Sequence, residues 1–202
     1  MDIFTAVSLN NKIMSKNNEI DFKLISTNKL LEFREEIRNN YNTIIVGANT
    51  VKQDNPKLLN KKRDNMRIVI DKYQDLDMNL KIFNDEPERT YIIVLKDNQK
   101  YKKEIEKRGA HYIVANTNQD LIKKIHEISN GKILLEGGAK IINQFINENE
   151  IDSISLIQFP VIYPNDCLSM FEYVDKSYKL QLEKNSIIDE QFVYFKYKVD
   201  HV

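Results

Sequence analysis

The sequence predicts one α/β domain over residues 1–202, built in three layers, with a mixed and mostly parallel central sheet, helices on both faces and a C-terminal antiparallel hairpin. Three patterns carry this prediction. Short apolar runs rich in β-branched residues recur between polar stretches, which is typical of buried strands. Segments with apolar residues at helical spacing separate several of these runs and favour a parallel sheet covered by helices. Alternation at a period of two near the C-terminus predicts the hairpin.

Seven apolar runs are predicted strands, at residues 3–7, 43–46, 68–70, 91–95, 112–114, 133–135 and 154–157. Three helices are predicted at residues 98–108, 118–129 and 139–148. The hairpin is predicted to pair residues 178–188 with residues 191–199 across a short turn at Asp189-Glu190. Residues 192–197 alternate with both sets partly apolar, so this strand is expected to be covered on both faces.

One more helix is predicted before the second strand, and either Ser26 or Thr27 can cap its first turn. Its apolar stripe follows helical spacing through Leu30, Phe33 or Arg34, Ile37 and Tyr41. The opposite face is charged and is expected to meet water, at Lys29, Glu32, Glu35 and Glu36.

Composition excludes several classes of protein. Lys plus Arg equals Asp plus Glu at 30 each, so no global positive field favours nucleic acid. No apolar run approaches the roughly 20 residues of a membrane span, and no secretory signal opens the chain, so a soluble cytoplasmic protein is expected. Cys167 is the single cysteine and the histidines are scattered, which argues against a metal site. No internal repeat or linker marks a second domain.

The strongest local motif is the turn Glu136-Gly137-Gly138, where a predicted buried strand runs directly into a predicted helix. Glycines let the backbone approach a ligand, and the free amides and positive dipole of a helix start favour an anion. The turn is therefore a candidate for cofactor phosphates, with Ala139, Lys140 and Ile141 at the helix start. A tight turn that needs glycine only for its backbone conformation explains Gly-Gly equally well.

Glu136 stands at the C-terminal end of a predicted central strand, which is where open α/β sheets place ligands. It can accept hydrogen bonds from a polar substrate. The alternative is a surface carboxylate that pairs with a nearby lysine.

Two further segments follow predicted strands. Residues 44–58 end a strand in glycine and continue through Thr50 to Asp54-Asn55-Pro56, a sequence that also explains itself as a turn. Residues 5–13 end the first strand in a hydroxyl and paired asparagines.

Together these segments resemble the reductase domain of riboflavin biosynthesis, which has the dihydrofolate-reductase-like fold, over nearly the whole chain. The matching stretches are Ser8 to Lys12, Arg38, a Gly-x-x-Thr-Val-x-x-Asp-Asn-Pro-x-Leu stretch from Gly47 to Leu58, an Arg-x-Val-x-Asp strand from Arg67 to Asp71, Glu136 to Gly138, and Ile151 to Ser153. The Thr-Val-x-x-Asp-x-Pro and Glu-Gly-Gly motifs at this separation are the more specific of these.

The resemblance implies that NADPH reduces a phosphoribosylamino-pyrimidine to its ribitylamino product, with NADH left open as the donor. It implies cofactor contacts at Ala6, Thr50, Asp54, Gly137, Gly138, Ala139, Lys140, Ile141 and Ile142. It implies substrate contacts at Arg38, Leu58 and Glu136, with Lys61 where the family often has an arginine for the substrate phosphate. No residue is assigned as the catalytic acid.

The family also implies a homodimer. The apolar edge around Ile187, Phe192, Tyr194 and Phe195 is a candidate interface, with ordinary core as the alternative. Lys72 and Lys96 are candidates to meet a cofactor 2′-phosphate.

Two departures from the family pattern keep rival functions open. Asn10-Asn11 replaces Asp-Gly, and the late loop at residues 160–165 has no glycine. One rival is an enzyme of the same fold acting on another heterocycle such as a dihydropteridine, which would not need Arg38 or Lys61. Another is a degenerate, non-catalytic dinucleotide-binding module. A flavodoxin-like module does not predict the C-terminal hairpin.

Overall fold

A computed structural model describes residues 1–14 and 25–200. The described helices are α1 (Asn28–Arg38), α2 (Ala48–Asp54), α3 (Gln99–Lys107), α4 (Asn118–Ile128) and α5 (Ala139–Asn147). The strands in the same residues are β1 (Asp2–Ser8), β2 (Lys12–Met14), β3 (Thr43–Gly47), β4 (Met66–Ile70), β5 (Thr90–Val94), β6 (His111–Val114), β7 (Ile133–Leu135), β8 (Ser153–Phe159), β9 (Leu168–Ser169), β10 (Lys179–Ile188) and β11 (Phe192–Asp200). Short 3₁₀ helices lie at Lys81–Phe83 and Pro87–Arg89.

The predicted fold class is confirmed: the protein is a mixed α/β fold with a mostly parallel central sheet, helices and a C-terminal antiparallel hairpin. The chain packs as two compact units. The first unit comprises Met1–Ile37 and Leu135–Val202, and the second comprises Arg38–Leu134.

In the first unit, β1 pairs in parallel with β8, β8 pairs antiparallel with β11, and β11 pairs antiparallel with β10. β10 and β11 form the predicted hairpin, and Asp189 and Glu190 both take positive φ values, of 50° and 62°, in its turn. Consecutive left-handed residues match the right-handed twist of the flanking strands. A second, two-stranded pairing joins β2 to β9.

In the second unit, β3, β4, β5 and β6 pair in parallel in chain order. All residues of β3 are buried, as expected for an apolar run in a covered parallel sheet. α3 and α4 begin with side-chain caps: Asn98 accepts from the Tyr101 amide and Thr117 from the Asp120 amide. Leu121, Ile122 and Ile125 form the buried stripe of α4.

The first predicted helix needs three refinements. Thr27 is the residue that caps it, because its Oγ1 accepts from the Leu30 amide at 3.3 Å. Phe33 packs edge-to-face against Tyr194, with the two ring centroids 5.0 Å apart. Tyr41 was wrongly included in the stripe, because α1 ends at Arg38 and the Tyr41 amide bonds the Arg38 carbonyl in a turn.

The candidate interface on the hairpin also needs correction. Phe192 is fully buried and Tyr194 is 5% exposed within the single chain, so both belong to the core. Ile187 is exposed and lies on β10, which also exposes Leu180 and Leu182. The exposed apolar surface of the hairpin therefore lies on β10 rather than on β11.

Candidate functional site

The Glu136-Gly137-Gly138 turn lies between β7 and α5, as predicted. Gly138 has φ +73° and ψ 125° and occupies the N-cap position of α5 without a side-chain cap. A positive φ strongly favours glycine. The amides of Ile141 and Ile142 both bond the Gly138 carbonyl at 3.1 Å, so the helix leaves its two first amides, of Ala139 and Lys140, without an intrahelical partner. A helix start with such amides is a position that generally favours an anion.

Asn143 holds the start of α5 in place, and the sequence prediction missed it. Its Nδ2 donates to the Ala139 carbonyl at 2.5 Å and to the Met170 carbonyl at 2.7 Å. Its Oδ1 accepts from the Tyr173 amide at 3.2 Å. An asparagine on the otherwise apolar, buried stripe of α5 was the available signal.

Glu136 and Ala6, two further candidates of the first unit, are each half-buried. Glu136 directly follows β7, and Ala6 lies in β1 opposite Ile157 of β8. Gly137, Ala139 and Ile142 are buried, whereas Lys140 is exposed.

The paired asparagines after β1 form an ordered turn. Asn11 takes φ 58°, the conformation that a glycine would take most easily and that asparagine tolerates. The Asn10 side chain bonds the backbone of Tyr163 in both directions: Nδ2 donates to the carbonyl at 2.7 Å, and Oδ1 accepts from the amide at 3.1 Å. Lys12 Nζ donates to the Asn165 carbonyl at 2.9 Å. The late loop is therefore fixed by side chains of the turn after β1 and of β2, although it has no glycine.

In the second unit, the segment predicted as strand and turn contains the additional helix α2. Thr50 and Asp54 are four residues apart in this helix and so share one face. Asn55 ends the helix in a left-handed conformation, with φ 42° and ψ 52°. Its Oδ1 accepts from the Lys81 amide at 2.8 Å, so Asn55 also fixes the segment at Lys81.

The remaining substrate candidates lie in or near the segment after α2, which comprises residues 55–65 and leads to β4. Leu58 is 2% exposed, whereas Lys61 is exposed. Arg38 is half-buried at the end of α1, and the neighbouring Asn39 accepts from the Lys61 amide at 2.9 Å. The structure therefore joins the segments of Arg38 and Lys61 within the second unit.

A charged cluster stands near this segment. Arg63 bonds the carboxylates of Asp85 and Glu86, Lys57 pairs with Asp85 at 3.1 Å, and Arg89 pairs with Glu86 at 3.0 Å. The hydrogen bond from Arg63 is the largest cause that lowers the pKa of Asp85 below 3.8 and that of Glu86 below 4.5.

Arg63→Gln is expected to flatten the acid dependence of stability. A carboxylate whose folded pKa is lowered stabilises the fold above its unfolded pKa and loses that contribution as pH falls through the folded value. The difference in urea midpoint between the unmodified protein and the variant should therefore be largest above about pH 5 and shrink towards about pH 3. Lys62→Gln, a change at a neighbouring exposed lysine, is the control. A difference that stays constant with pH would contradict this assignment.

Other sites are not supported by the described residues. No group of three His, Cys, Asp or Glu side chains within residues 1–14 and 25–200 is placed to hold a metal. In the same residues, no helix is both long and apolar enough to span a membrane. An apolar cavity of about 180 Å³ in the first unit is lined by Ile146, Phe171 and Tyr178 among others, and none of the candidate residues lines it.

Comparison with known proteins decides the family. Residues 3–194 match the model of the RibD C-terminal domain family. The chain belongs to this family. The riboflavin biosynthesis protein RibD of Aquifex aeolicus is 26% identical over 182 residues, which are 86% of this chain and 51% of that protein. The chain spans about half the length of that relative.

Two other family comparisons cover both chains more evenly. The 2,5-diamino-6-ribosylamino-4(3H)-pyrimidinone 5′-phosphate reductase of Archaeoglobus fulgidus is 26% identical over 205 residues, 93% of this chain and 92% of the relative. A pyrimidine reductase-like protein of Corynebacterium diphtheriae superposes with a TM-score of 0.84 at 19% identity, covering 100% of this chain and 92% of that structure. The structural likeness confirms the dihydrofolate-reductase-like fold.

Proposed function

We propose that this chain is a nicotinamide-dependent reductase that converts the ribosylamino side chain of a pyrimidine 5′-phosphate to ribitylamino in riboflavin biosynthesis. Membership of the RibD C-terminal domain family and the name of the Archaeoglobus fulgidus relative support the reaction class. The observation that carries the proposal is the open start of α5 behind Gly138, whose φ is +73°.

The start of α5 fits a dinucleotide pyrophosphate. Gly138 brings no side chain into the N-cap position, and the first amides of α5 have no intrahelical partner. The proposed cofactor contacts are Ala6, Thr50, Asp54, Gly137, Gly138, Ala139, Lys140, Ile141 and Ile142. A bound reduced nicotinamide supplies the hydride, and the protein supplies binding and orientation.

The proposed substrate contacts are Glu136, Arg38, Leu58 and Lys61. Glu136 presents a carboxylate that accepts hydrogen bonds from amino or hydroxyl groups of the substrate. Arg38 and Lys61 present cations suited to its phosphate, the lysine as a point charge and the arginine as a planar fork. No residue is assigned as proton donor.

The proposal includes NADPH as the preferred donor, a homodimer and a cytoplasmic location. Lys72 and Lys96 are exposed and offer charge to a 2′-phosphate. The exposed apolar side chains of β10, namely Leu180, Leu182 and Ile187, are the proposed dimer surface. A biosynthetic reductase suits the cytoplasm.

Fluorescence titration of the purified protein with NADPH and with NADH tests the cofactor proposal. Saturable binding of at least one is expected, with NADPH tighter. Tighter binding of NADH would overturn the donor preference, and binding of neither nucleotide would overturn the reductase proposal itself.

A further inference from the structure

The segment after α2 holds a buried side chain in an uncommon backbone conformation. Leu58 is 2% exposed and has φ 57°. A branched side chain seldom takes this left-handed conformation, and it persists only where surrounding groups determine it. The groups that bond the backbone around Leu58 therefore determine the conformation of this segment.

Two side chains from the entrance of β4 hold it. Asn65 immediately precedes β4, and Arg67 is the second residue of that strand. Asn65 Nδ2 donates to the Leu58 carbonyl at 2.8 Å, and Arg67 Nη1 donates to the Lys57 carbonyl at 2.6 Å. Two consecutive carbonyls thus accept hydrogen bonds from side chains at the start of β4.

Both side chains are themselves anchored and fully buried. Asn65 Oδ1 accepts from the Asn60 amide at 2.7 Å. Arg67 Nε donates to Thr90 Oγ1 at 2.6 Å, and its Nη2 donates to the Ile82 carbonyl at 3.0 Å. Because burial, the largest effect, lowers the pKa of Arg67 only to about 10, the guanidinium remains charged at neutral pH. Its bonds to these neutral acceptors are therefore charge-assisted.

We propose that Asn65 and Arg67 are positioning residues that fix Leu58 and the following Lys61 for the phosphorylated pyrimidine. The Lys61 amide donates to Oδ1 of Asn39, the residue next to Arg38. The three proposed substrate contacts of the second unit, Arg38, Leu58 and Lys61, therefore lie along one hydrogen-bonded network. The inference rests on the proposed function for the identity of the substrate.

Asn65→Asp is the sharpest test, because the change is nearly isosteric. The carboxylate keeps an acceptor for the Asn60 amide but removes the donor to Leu58 and faces that carbonyl with a negative charge. The KM for the phosphoribosylamino-pyrimidine is expected to rise about tenfold, as for the loss of one buried hydrogen bond. The kcat and the KM for NADPH are expected to stay within about twofold, as is typical of lost uniform binding.

Trypsin provides a readout that does not depend on activity. Lys57, Lys61, Lys62 and Arg63 place cleavage sites throughout the segment. Native-state cleavage there should be about tenfold faster in Asn65→Asp, because local opening becomes easier. Asn84→Asp is the matched control: Asn84 also donates to a loop carbonyl of the same unit, that of Leu80 at 2.9 Å.

Arg67→Lys is the second variant. It keeps the charge but lacks the planar fork, so it should raise the same KM and the same cleavage rate. An unchanged KM for the pyrimidine in folded Asn65→Asp or Arg67→Lys would overturn the inference, as would an equal rise in both KM values with a fall in kcat. No turnover by the unmodified protein overturns the proposed function instead.

Discussion

Gly138→Asp is expected to weaken NADPH binding by at least about 100-fold. A carboxylate about 4 Å from a phosphate opposes it by roughly 4 kcal/mol at the effective dielectric of a protein surface. Any side chain at φ +73° adds strain of about 1–2 kcal/mol. The measurement is the Kd from fluorescence titration.

Two control variants separate charge from strain. Gly138→Ala introduces the strain without the charge and should weaken binding much less than the aspartate does. Gly109→Asp places the same side chain at another left-handed glycine, with φ +87°, where a Cβ meets Pro87 at an ordinary 3.6 Å. That variant should bind NADPH as the unmodified protein does. Equal losses of NADPH affinity in Gly109→Asp and Gly138→Asp would show that the start of α5 does not contact the cofactor.

Glu136→Gln is expected to lower kcat/KM for the pyrimidine phosphate about 30-fold. The change keeps the shape of the side chain but replaces charge-assisted hydrogen bonds by neutral ones, at a total cost of about 2 kcal/mol. The Kd for NADPH should be unchanged. Steady-state kinetics at saturating NADPH measures the effect.

Glu172→Gln provides the control, since Glu172 is an exposed carboxylate of the same unit and is not a proposed contact. It should retain full kcat/KM. If Glu136→Gln also retained full kcat/KM, Glu136 would not contact the substrate. It would instead be a surface carboxylate that pairs with a lysine, the alternative that the sequence left open.

The strands and longer helices were predictable because burial leaves a periodic record in the sequence. β3, β4 and β5 consist mostly of apolar residues, and the stripe of α4 repeats at helical spacing. α2 was missed because its seven residues bury only Ala48 and Val51, too few to define a period. Tyr41 was misplaced because its spacing continues the stripe of α1 beyond the point where the backbone turns.

The candidate site was predictable only where backbone conformation limits residue choice. Gly138 and Asn11 occupy left-handed positions that favour glycine and asparagine, and the sequence drew attention to both. Asn65 and Asn143 were missed because the sequence does not identify the backbone carbonyls, of Leu58 and Met170, to which they donate. For Asn65, the available signal was a polar residue close to an arginine at the start of an otherwise apolar strand.

Turnover by the unmodified protein tests the central claim most directly. Purified protein is mixed with NADPH and the phosphoribosylamino-pyrimidine, and the absorbance of the reduced nicotinamide is followed. The mass of the pyrimidine product is then determined by mass spectrometry. The account predicts substrate-dependent loss of absorbance and a pyrimidine product heavier by two hydrogen atoms. NADPH binding without oxidation in the presence of this substrate would contradict it and would favour another heterocycle or a non-catalytic module.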